Sequence, residues 1–332
     1  MNNFEYVRAT AIPDALRAVA RQAGSRFLAG GTTMVDLMKC GVEVPSALID
    51  ITRLPGLDTI ELGPASVRIG ALSKMSDVAD HPTIRKEFPV LSESLWRGAS
   101  AQLRNMATIG GNLMQRTRCS YFREPGVYGA CNKRDPGSGC AALEGVNRGH
   151  AVLGTSPSCI ATNPGDFAVA LVAFDAAVYV ENGKPQRRIP IDDFFLLPGD
   201  TPDVEHPLSS GELIVAVEVP TSAAMRRSHY LKVRDRESYE FAAASAAVGL
   251  ELEADGRTIR DVRIALGGIA TRPWRARTVE GALVGRTFDE PTVRAASRLV
   301  IEGAVDHGEN RFKIDLAPRV VARALLTVGG IA

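Results

Sequence analysis

Residues 113–160 form a segment in which little regular secondary structure is expected, yet they include most of the cysteines in the chain. The segment is rich in Gly, Pro, Ser and Arg, has little hydrophobic periodicity, and is too long for an ordinary connection. It contains Cys119, Cys131, Cys140 and Cys159, whereas Cys40 lies far upstream. A polar segment of this kind offers little apolar core to bury four cysteines, so we expect another interaction to hold it in place.

The rest of the first 220 residues alternates short apolar runs with helical stretches, which is typical of an α/β region. "PDALRAVARQA" predicts a helix with Pro13 near its start, and "SRFLAG" predicts a short strand that ends at the following glycines. The composition changes near residues 220–227. Beyond this point "HYLKVRD", "FAAASAAVGLEL" and "DVRIALGGIA" predict strands of an antiparallel sheet. Helices are predicted over 275–283, 290–302 and 316–326.

Length and charge exclude several classes of protein. A chain of 332 residues predicts about two domains. A net charge of +1, from 39 basic and 38 acidic residues, argues against nucleic-acid or membrane-surface binding built on bulk charge. No apolar run approaches the ~18 residues of a membrane helix. No export signal is visible at the N-terminus, which with an odd cysteine count fits a reducing compartment.

Two glycine pairs are candidates for a phosphate-binding backbone. Gly30-Gly31 lies in "LAGGTTMVDLMK", and Gly110-Gly111 lies in "ATIGGNLMQ". Glycines let the backbone approach a phosphate, and free N–H groups with neighbouring hydroxyls can bind its oxygens. Neither stretch is GxGxxG or GK[ST], so a Rossmann site and a P-loop are both disfavoured. Either pair alone is also explained as a plain glycine turn.

The cysteine spacing leaves three interpretations open. Structural zinc sites usually contain CxxC pairs, and this chain has none. The four thiolates of an iron–sulfur cluster can come from dispersed positions on one wrapped segment, and the third interpretation is four free buried cysteines. Cationic neighbours favour thiolates and an anionic cluster. The segment's basic residues are Arg116, Arg118, Arg123, Lys133, Arg134 and Arg148, against the acidic Glu124, Asp135 and Glu144.

Two other residues have simpler expected roles. His150 lies within the cysteine segment and is a candidate for supporting a ligand from outside the ligand set. The histidines of the chain form no i,i+4 pair of the kind found in histidine metal sites. Cys40 follows "VDLMK" at a predicted helix end, where burial is the expected role.

Three stretches carry a resemblance to a known family. "LAGGTTMVDLMK", "GASAQLRNMATIGGN" and "CIATNPGDFAVAL" resemble the flavin-binding motifs of the medium subunit of the molybdenum hydroxylases, the family of xanthine dehydrogenase and carbon monoxide dehydrogenase. The resemblance covers essentially the whole chain. "CNKRDPGSGCAALEGVNRGHAVLG" is similar to an insertion in the flavin subunit of bacterial periplasmic aldehyde oxidoreductase, which carries a 4Fe–4S cluster beside FAD.

The resemblance implies an α+β fold with two domains. Residues 1–222 are expected to form an FAD-binding domain of the vanillyl-alcohol-oxidase (PCMH) type, with subdomains 1–56 and 57–222. The iron–sulfur loop at 113–160 is an insertion in the second subdomain. Residues 223–332 are expected to form a CO dehydrogenase flavoprotein-like C-terminal domain, with a three-stranded antiparallel sheet and a helical bundle.

The same resemblance implies site residues for two cofactors and none for catalysis. The expected FAD contacts are Leu28, Ala29, Gly30, Gly31, Thr32, Thr33 and Met34 on one side of the pyrophosphate, Thr108, Gly111 and Asn112 on its other side, and Asp166, Ile214 and Lys232 towards the flavin ring. The expected ligands of the 4Fe–4S cluster are Cys119, Cys131, Cys140 and Cys159.

The function implied is electron transfer within a heterotrimer. A large molybdopterin-binding subunit would hydroxylate an aldehyde, a small subunit would carry two 2Fe–2S clusters, and this chain would pass the electrons through FAD to an acceptor. Two alternatives stay open: an FAD/4Fe–4S subunit of a 4-hydroxybenzoyl-CoA reductase-like enzyme, and a non-enzymatic zinc-loop interaction protein. By its own sequence the chain is expected in the cytoplasm, and co-export with a signal-bearing partner would make it periplasmic.

Overall fold

The computed structural model describes residues 1–331, which form three sheets packed with helices. The strands are β1 (Glu5–Arg8), β2 (Arg26–Leu28), β3 (Ala47–Asp50), β4 (Ile60–Leu62), β5 (Ser66–Gly70), β6 (Ala177–Glu181), β7 (Arg187–Pro190), β8 (Leu213–Pro220), β9 (Ser228–Val233), β10 (Ala244–Leu252), β11 (Ile259–Gly267) and β12 (Trp274–Arg275).

The helices alternate with these strands in the first part of the chain and follow them in the last part. They are α1 (Ile12–Arg21), α2 (Met34–Lys39), α3 (Met75–Asp80), α4 (Pro82–Glu87), α5 (Pro89–Arg97), α6 (Ala101–Met106), α7 (Ile109–Leu113), α8 (Ser120–Arg123), α9 (Asp166–Ala173), α10 (Ile191–Phe194), α11 (Ala223–Arg226), α12 (Arg277–Leu283), α13 (Glu290–Ser297), a 3-10 helix (Arg298–Ile301) and α14 (Phe312–Gly329). Among residues 1–331, no helix has both the length and the apolar character needed to cross a membrane.

The first sheet is parallel, with the strand order β1-β3-β2. All four residues of its central strand β3 are buried, as expected of a parallel strand that is covered on both faces. Helix α1 has Pro13 in its first turn, where proline's missing N–H costs no hydrogen bond. The predicted strand break is confirmed, because β2 ends at Leu28 and the glycine pair follows it.

The second sheet is antiparallel, with the order β4-β5-β8-β6-β7. Its central strand β8 pairs with β5, which lies more than a hundred residues earlier in the chain. Helix α9 buries every residue from Phe167 to Ala173 and packs on α5, β10 and β11. A helix that is apolar all round is stable only when protein surrounds it, so α9 joins the second sheet to the C-terminal part of the chain.

The C-terminal sheet corrects one expectation, because it has four antiparallel strands and not three. Their order is β12-β11-β10-β9. The additional strand β12 contains only Trp274 and Arg275, which pair with Leu266 and Ala265 of β11. Two residues are too few to show the alternation that predicts a strand. The predicted helical layer is present: α14 packs on β9 and β10 with Ala317 and Val321 buried.

Residues 113–160 are largely irregular, as predicted. They include the end of α7, the short helix α8 and an isolated antiparallel bridge between Cys131 and Cys140. The segment nevertheless has a small core of its own, in which Leu37 packs with the fully buried Phe122 and with Cys131. The expectation of little core was therefore too strict, because Leu37 of α2 supplies an apolar contact that the segment itself lacks.

Candidate functional site

A cleft between the first and second sheets encloses a cavity of about 540 Å³. The turn between β2 and α2 lines one side, the start of α7 lines the other, and the beginning of β8 closes one end. Nine of the predicted FAD contacts line this cavity: Ala29, Gly30, Gly31, Thr32, Thr33, Met34, Thr108, Gly111 and Ile214. The remaining four, Leu28, Asn112, Asp166 and Lys232, lie outside its wall.

Gly30 allows the two glycine turns to meet. A Cβ atom at this position would lie 1.9 Å from the carbonyl oxygen of Met106, so only glycine fits without moving the backbone. Gly31 adopts a φ of +74°, in the left-handed region that glycine tolerates best. The turns therefore present bare backbone to the cleft from two sides, as a bound phosphate requires.

Helix α7 carries an unsatisfied polar atom beside this cleft. Thr108 caps the helix, because its Oγ1 accepts a hydrogen bond from the Gly111 N–H at 3.2 Å. Asn112 Nδ2 donates to Met75 Sδ at 3.4 Å, but Asn112 Oδ1 is buried and has no hydrogen-bond partner within residues 1–331. An orphaned buried acceptor is costly, so this position suits a ligand that donates a hydrogen bond.

Asp166, at the start of α9, forms a buried network with strand β9. Its Oδ2 accepts a hydrogen bond from Lys232 Nζ at 2.9 Å, and its Oδ1 accepts one from the Tyr230 hydroxyl at 2.7 Å. Burial raises the pKa of Asp166, and the Lys232 ammonium opposes that rise. Burial and the nearby carboxylate also raise the pKa of Tyr230 well above its usual value, so its hydroxyl remains a donor.

The backbone beside Asp166 is strained. Ala99 adopts a φ of +51°, which is uncommon for any residue with a Cβ atom. Two buried cations hold this turn: Lys232 Nζ donates to the Arg97 carbonyl at 3.0 Å, and Arg104 Nη1 donates to the Gly98 carbonyl at 2.8 Å. Strain that the surroundings enforce is typical of ligand-binding edges. Sequence alone gave no signal for residues 97–99.

The four cysteines of the irregular segment converge on one narrow internal cavity. Cys119, Cys131, Cys140 and Cys159 all line it, and none forms a disulfide. Burial raises the pKa of Cys119 to about 12 and raises that of Cys159, so without a metal both remain thiols. Cys40 lies outside this cavity.

Zinc fits these cysteines poorly. Throughout residues 1–331, no three His, Cys, Asp or Glu side chains stand close enough to hold one metal ion. A zinc ion needs all its sulfur ligands at about 2.3 Å. A 4Fe–4S cluster takes one thiolate at each of four iron corners, so its cysteines surround a larger group. The donor set, four thiols and no carboxylate around one cavity, fits the cluster better.

Hydrogen-bond donors approach two of the sulfurs. The Ala161 N–H donates to Cys159 Sγ at 3.4 Å, and His150 Nε2 lies 3.2 Å from Cys119 Sγ. The prediction that His150 supports a ligand from outside the ligand set therefore agrees with its position. Donors of this kind stabilise thiolate sulfur.

The basic residues of the segment have a different use from the one predicted. We expected them to supply positive charge near the cysteines, but most are engaged as tethers to the FAD domain. Burial opposes ionisation of Glu205, yet Lys133 and Arg116 hold the pKa of that carboxyl below its usual value. The tethers pair Arg116 with Glu43 and Glu205, Arg118 and Arg123 with Asp36, and Lys133 with Glu205, while Arg134 donates to the Tyr121 and Phe122 carbonyls.

Sequence reasoning missed several residues that shape these sites. Tyr230 had a usable signal, because its two-residue separation from Lys232 places both side chains on one face of β9. Arg116 lines the flavin cleft and starts the cysteine segment, but its two carboxylate partners are far away in the chain. Lys313 and Asn147 likewise have only distant partners, so no local pattern identifies them.

Two family models together match almost the whole chain. Residues 2–222 match the FAD binding domain in molybdopterin dehydrogenase, and residues 229–328 match the CO dehydrogenase flavoprotein C-terminal domain. The chain therefore belongs to the FAD-binding medium subunits of the molybdenum hydroxylases, which are oxidoreductase subunits of the xanthine dehydrogenase family.

Individual relatives agree with this assignment. The chain is 44% identical over 328 residues to the aldehyde oxidoreductase FAD-binding subunit PaoB of Escherichia coli K12, with 98% of each chain covered. It is 29% identical to the carbon monoxide dehydrogenase medium chain of Hydrogenophaga pseudoflava, covering 97% of this chain and 96% of that one. A solved structure of carbon monoxide dehydrogenase from the same organism superposes with a TM-score of 0.76 at 25% identity, covering 100% of this chain and 99% of that one.

Proposed function

We propose that this chain is the electron-transfer subunit of a heterotrimeric molybdenum-dependent aldehyde oxidoreductase. It would hold FAD in the cleft and a 4Fe–4S cluster at the four cysteines. The observation that carries the proposal is the convergence of Cys119, Cys131, Cys140 and Cys159 on one cavity, in a chain 44% identical to an aldehyde oxidoreductase FAD-binding subunit.

FAD supplies the redox chemistry when it is bound, and the protein positions it. Residues 28–34, with Thr108 and Gly111, are assigned to the pyrophosphate, because most of them line the cleft with exposed backbone. Asn112, Asp166, Ile214 and Lys232 are assigned to the flavin end, where the first has an orphaned acceptor and two others form a buried ion pair. That network holds its charges fixed, so the ligand meets a preorganised polar surface.

The four cysteines are assigned as the ligands of the iron–sulfur cluster. The donor chemistry of the site and its spacing, too wide for a single ion, support this cluster over the zinc-loop alternative. The Ala161 N–H and His150 lie at hydrogen-bonding distance from two of the sulfurs. These donors offset the charge that four thiolates bring into a buried site.

The partners follow from what the complex as a whole must do. A large subunit with molybdopterin would oxidise the aldehyde, and a small subunit with 2Fe–2S clusters would deliver the electrons. This chain would then pass them through FAD to an acceptor. For the chain alone the proposed compartment is the cytoplasm, and for a complex whose partner carries an export signal it is the periplasm.

Metal and flavin analysis of anaerobically purified protein tests the proposal. The chain alone should contain FAD and about four iron atoms with four acid-labile sulfides, and no zinc. Co-expressed with partner chains, it should support aldehyde oxidation with an artificial electron acceptor, whereas the chain alone should not. Zinc in place of iron would overturn the cluster, and a complete complex inactive on aldehydes would overturn the substrate assignment.

A further inference from the structure

One turn of the C-terminal domain, residues 306–313, holds the last third of the cysteine segment. Asn147 is almost fully buried, and its Nδ2 donates to the His307 carbonyl. Its Oδ1 accepts from the Glu309 N–H at 3.0 Å. Asn310, also fully buried, donates from Nδ2 to the Ala151 carbonyl at 2.9 Å. The two family domains are therefore joined by specific polar contacts at this point.

Lys313, at the start of α14, is the least expected part of this contact. Its side chain is buried, and within residues 1–331 no carboxylate side chain forms an ion pair with it. Instead Nζ donates to the Gly149 carbonyl at 3.0 Å and to the Gly268 carbonyl at 2.7 Å. Burial, with a smaller contribution from Arg148, lowers the pKa of Lys313 to about 7.

A buried lysine without an acid partner is a poor way to stabilise a fold, because an apolar residue of similar size avoids the cost of desolvating the charge. What Lys313 provides is a fixed position for Gly149, and His150 is the next residue. His150 is also buried, and its Nε2 lies 3.2 Å from Cys119 Sγ. Its Nδ1 has no partner among residues 1–331, so the ring best satisfies its hydrogen bonds with the proton on Nε2.

We propose that Lys313 is a positioning residue that fixes His150, through Gly149, as the hydrogen-bond donor to Cys119. The C-terminal domain thereby sets the electronic environment of one corner of the cysteine site. The redox part of this inference rests on the proposed 4Fe–4S cluster, whereas the geometric part concerns the protein alone. Hydrogen bonds and positive charge near a ligating sulfur favour the more negative, reduced cluster.

The test compares Lys313→Met, His150→Leu and His150→Gln with Leu325→Ala. Leu325 is a buried residue of the same helix that packs in the C-terminal core and lies outside the cysteine site, so its truncation tests for a purely structural effect. Lys313→Met and His150→Leu should lower the midpoint potential of the cluster in a redox titration followed by electron paramagnetic resonance. His150→Gln keeps an N–H donor and should restore most of the wild-type potential. Leu325→Ala should lower stability and leave the potential unchanged.

A second measurement reports on geometry independently of the cluster. After chelation of iron, the alkylation rate of Cys119 should rise about tenfold in Lys313→Met, because the hydrogen bonds from a charged group that hold residues 149–150 are lost. An unchanged alkylation rate together with an unchanged potential would overturn the inference. If Lys313→Met does not fold, equal potentials in His150→Leu and His150→Gln would overturn it. Wild-type protein without iron would refute the proposed cluster, and the alkylation rate alone would then decide the geometric part.

Discussion

At the scale of single residues, two glycines of similar motifs serve different purposes. A side chain at Gly30 would collide with the Met106 carbonyl, so the close approach of two backbones requires glycine there. A Cβ atom at Gly111 would meet only Thr108 Oγ1, at 3.0 Å, and otherwise open space beside the cleft. The sequence predicted that both pairs serve a cofactor. It could not separate these reasons, because the difference depends on which backbone lies opposite each glycine.

This difference gives a prediction for flavin binding. Gly111→Val should fold normally and retain little FAD, because the added side chain enters the cleft where the pyrophosphate is proposed to bind. Flavin released by denaturation, quantified per chain, is the measurement. Gly281→Val, in a helix with open space around it, is the matched control and should keep its FAD. Stoichiometric FAD in Gly111→Val would remove this turn from the site.

A second prediction concerns the cysteines. Replacing Cys131 or Cys140 with serine should leave iron and acid-labile sulfide well below four per chain, because loss of one ligand opens an iron corner to water and oxidation. Residues 113–160 should also become sensitive to protease. Cys40→Ser is the control, since Cys40 lies outside the shared cavity, and it should change neither quantity. The cluster assignment fails if iron content is the same in all three variants.

At the scale of elements, local patterns were sufficient where periodicity was strong. The helices predicted over 275–283 and 290–302 correspond to α12 and to α13 with the 3-10 helix, and the strands of "HYLKVRD" and "DVRIALGGIA" are β9 and β11. Strand order was not predictable, because the pairing of β5 with β8 joins distant parts of the chain. The two-residue strand β12 was missed because it is too short to show a pattern.

One carboxylate ties the elements of the first sheet together. Asp50, at the end of β3, accepts hydrogen bonds from Tyr6 and Arg8 of β1 and from Thr52. Burial alone would raise the pKa of Asp50, but these hydrogen bonds outweigh it and lower the pKa from 3.8 to about 2. A depressed pKa means that the contribution to stability is complete above the unfolded-state value and is lost as the pH falls towards 2.

We therefore predict that Asp50→Asn lowers the free energy of unfolding by about 2 kcal/mol at pH 7. The difference between wild type and variant should shrink steadily as the pH falls from about 4 to about 2, because the wild-type carboxyl then becomes protonated. Urea unfolding across this pH range measures it. Asp200→Asn, at an exposed loop position, serves as the control. A constant difference between the two proteins at all pH values would contradict the assignment.

At the scale of the whole molecule, both proposed cofactor sites depend on contacts that cross between the two family domains. Asp166 of the first domain pairs with Lys232 of the second, and Lys313 of the second holds the cysteine segment of the first. The sequence identified Asp166, Lys232 and the cysteines as site residues. It did not reveal what holds them in place, because buried polar partners more than sixty residues apart leave no periodic or spacing signal.

The last prediction concerns assembly. A flavin in this cleft must lie within electron-transfer range of a partner's cluster, so the chain must offer a large and stable interface to at least one other protein. We predict a complex with one molybdopterin-binding chain and one 2Fe–2S chain, with interfaces of at least about 1,600 Å² in total area. Co-expression followed by size-exclusion chromatography with light scattering should give one species with the three chains in equal amounts. Gly111→Val, which changes a residue inside the cleft, should assemble like wild type, so that flavin loss and assembly can be separated. A wild-type chain that stays monomeric beside both partners would rule out the heterotrimer.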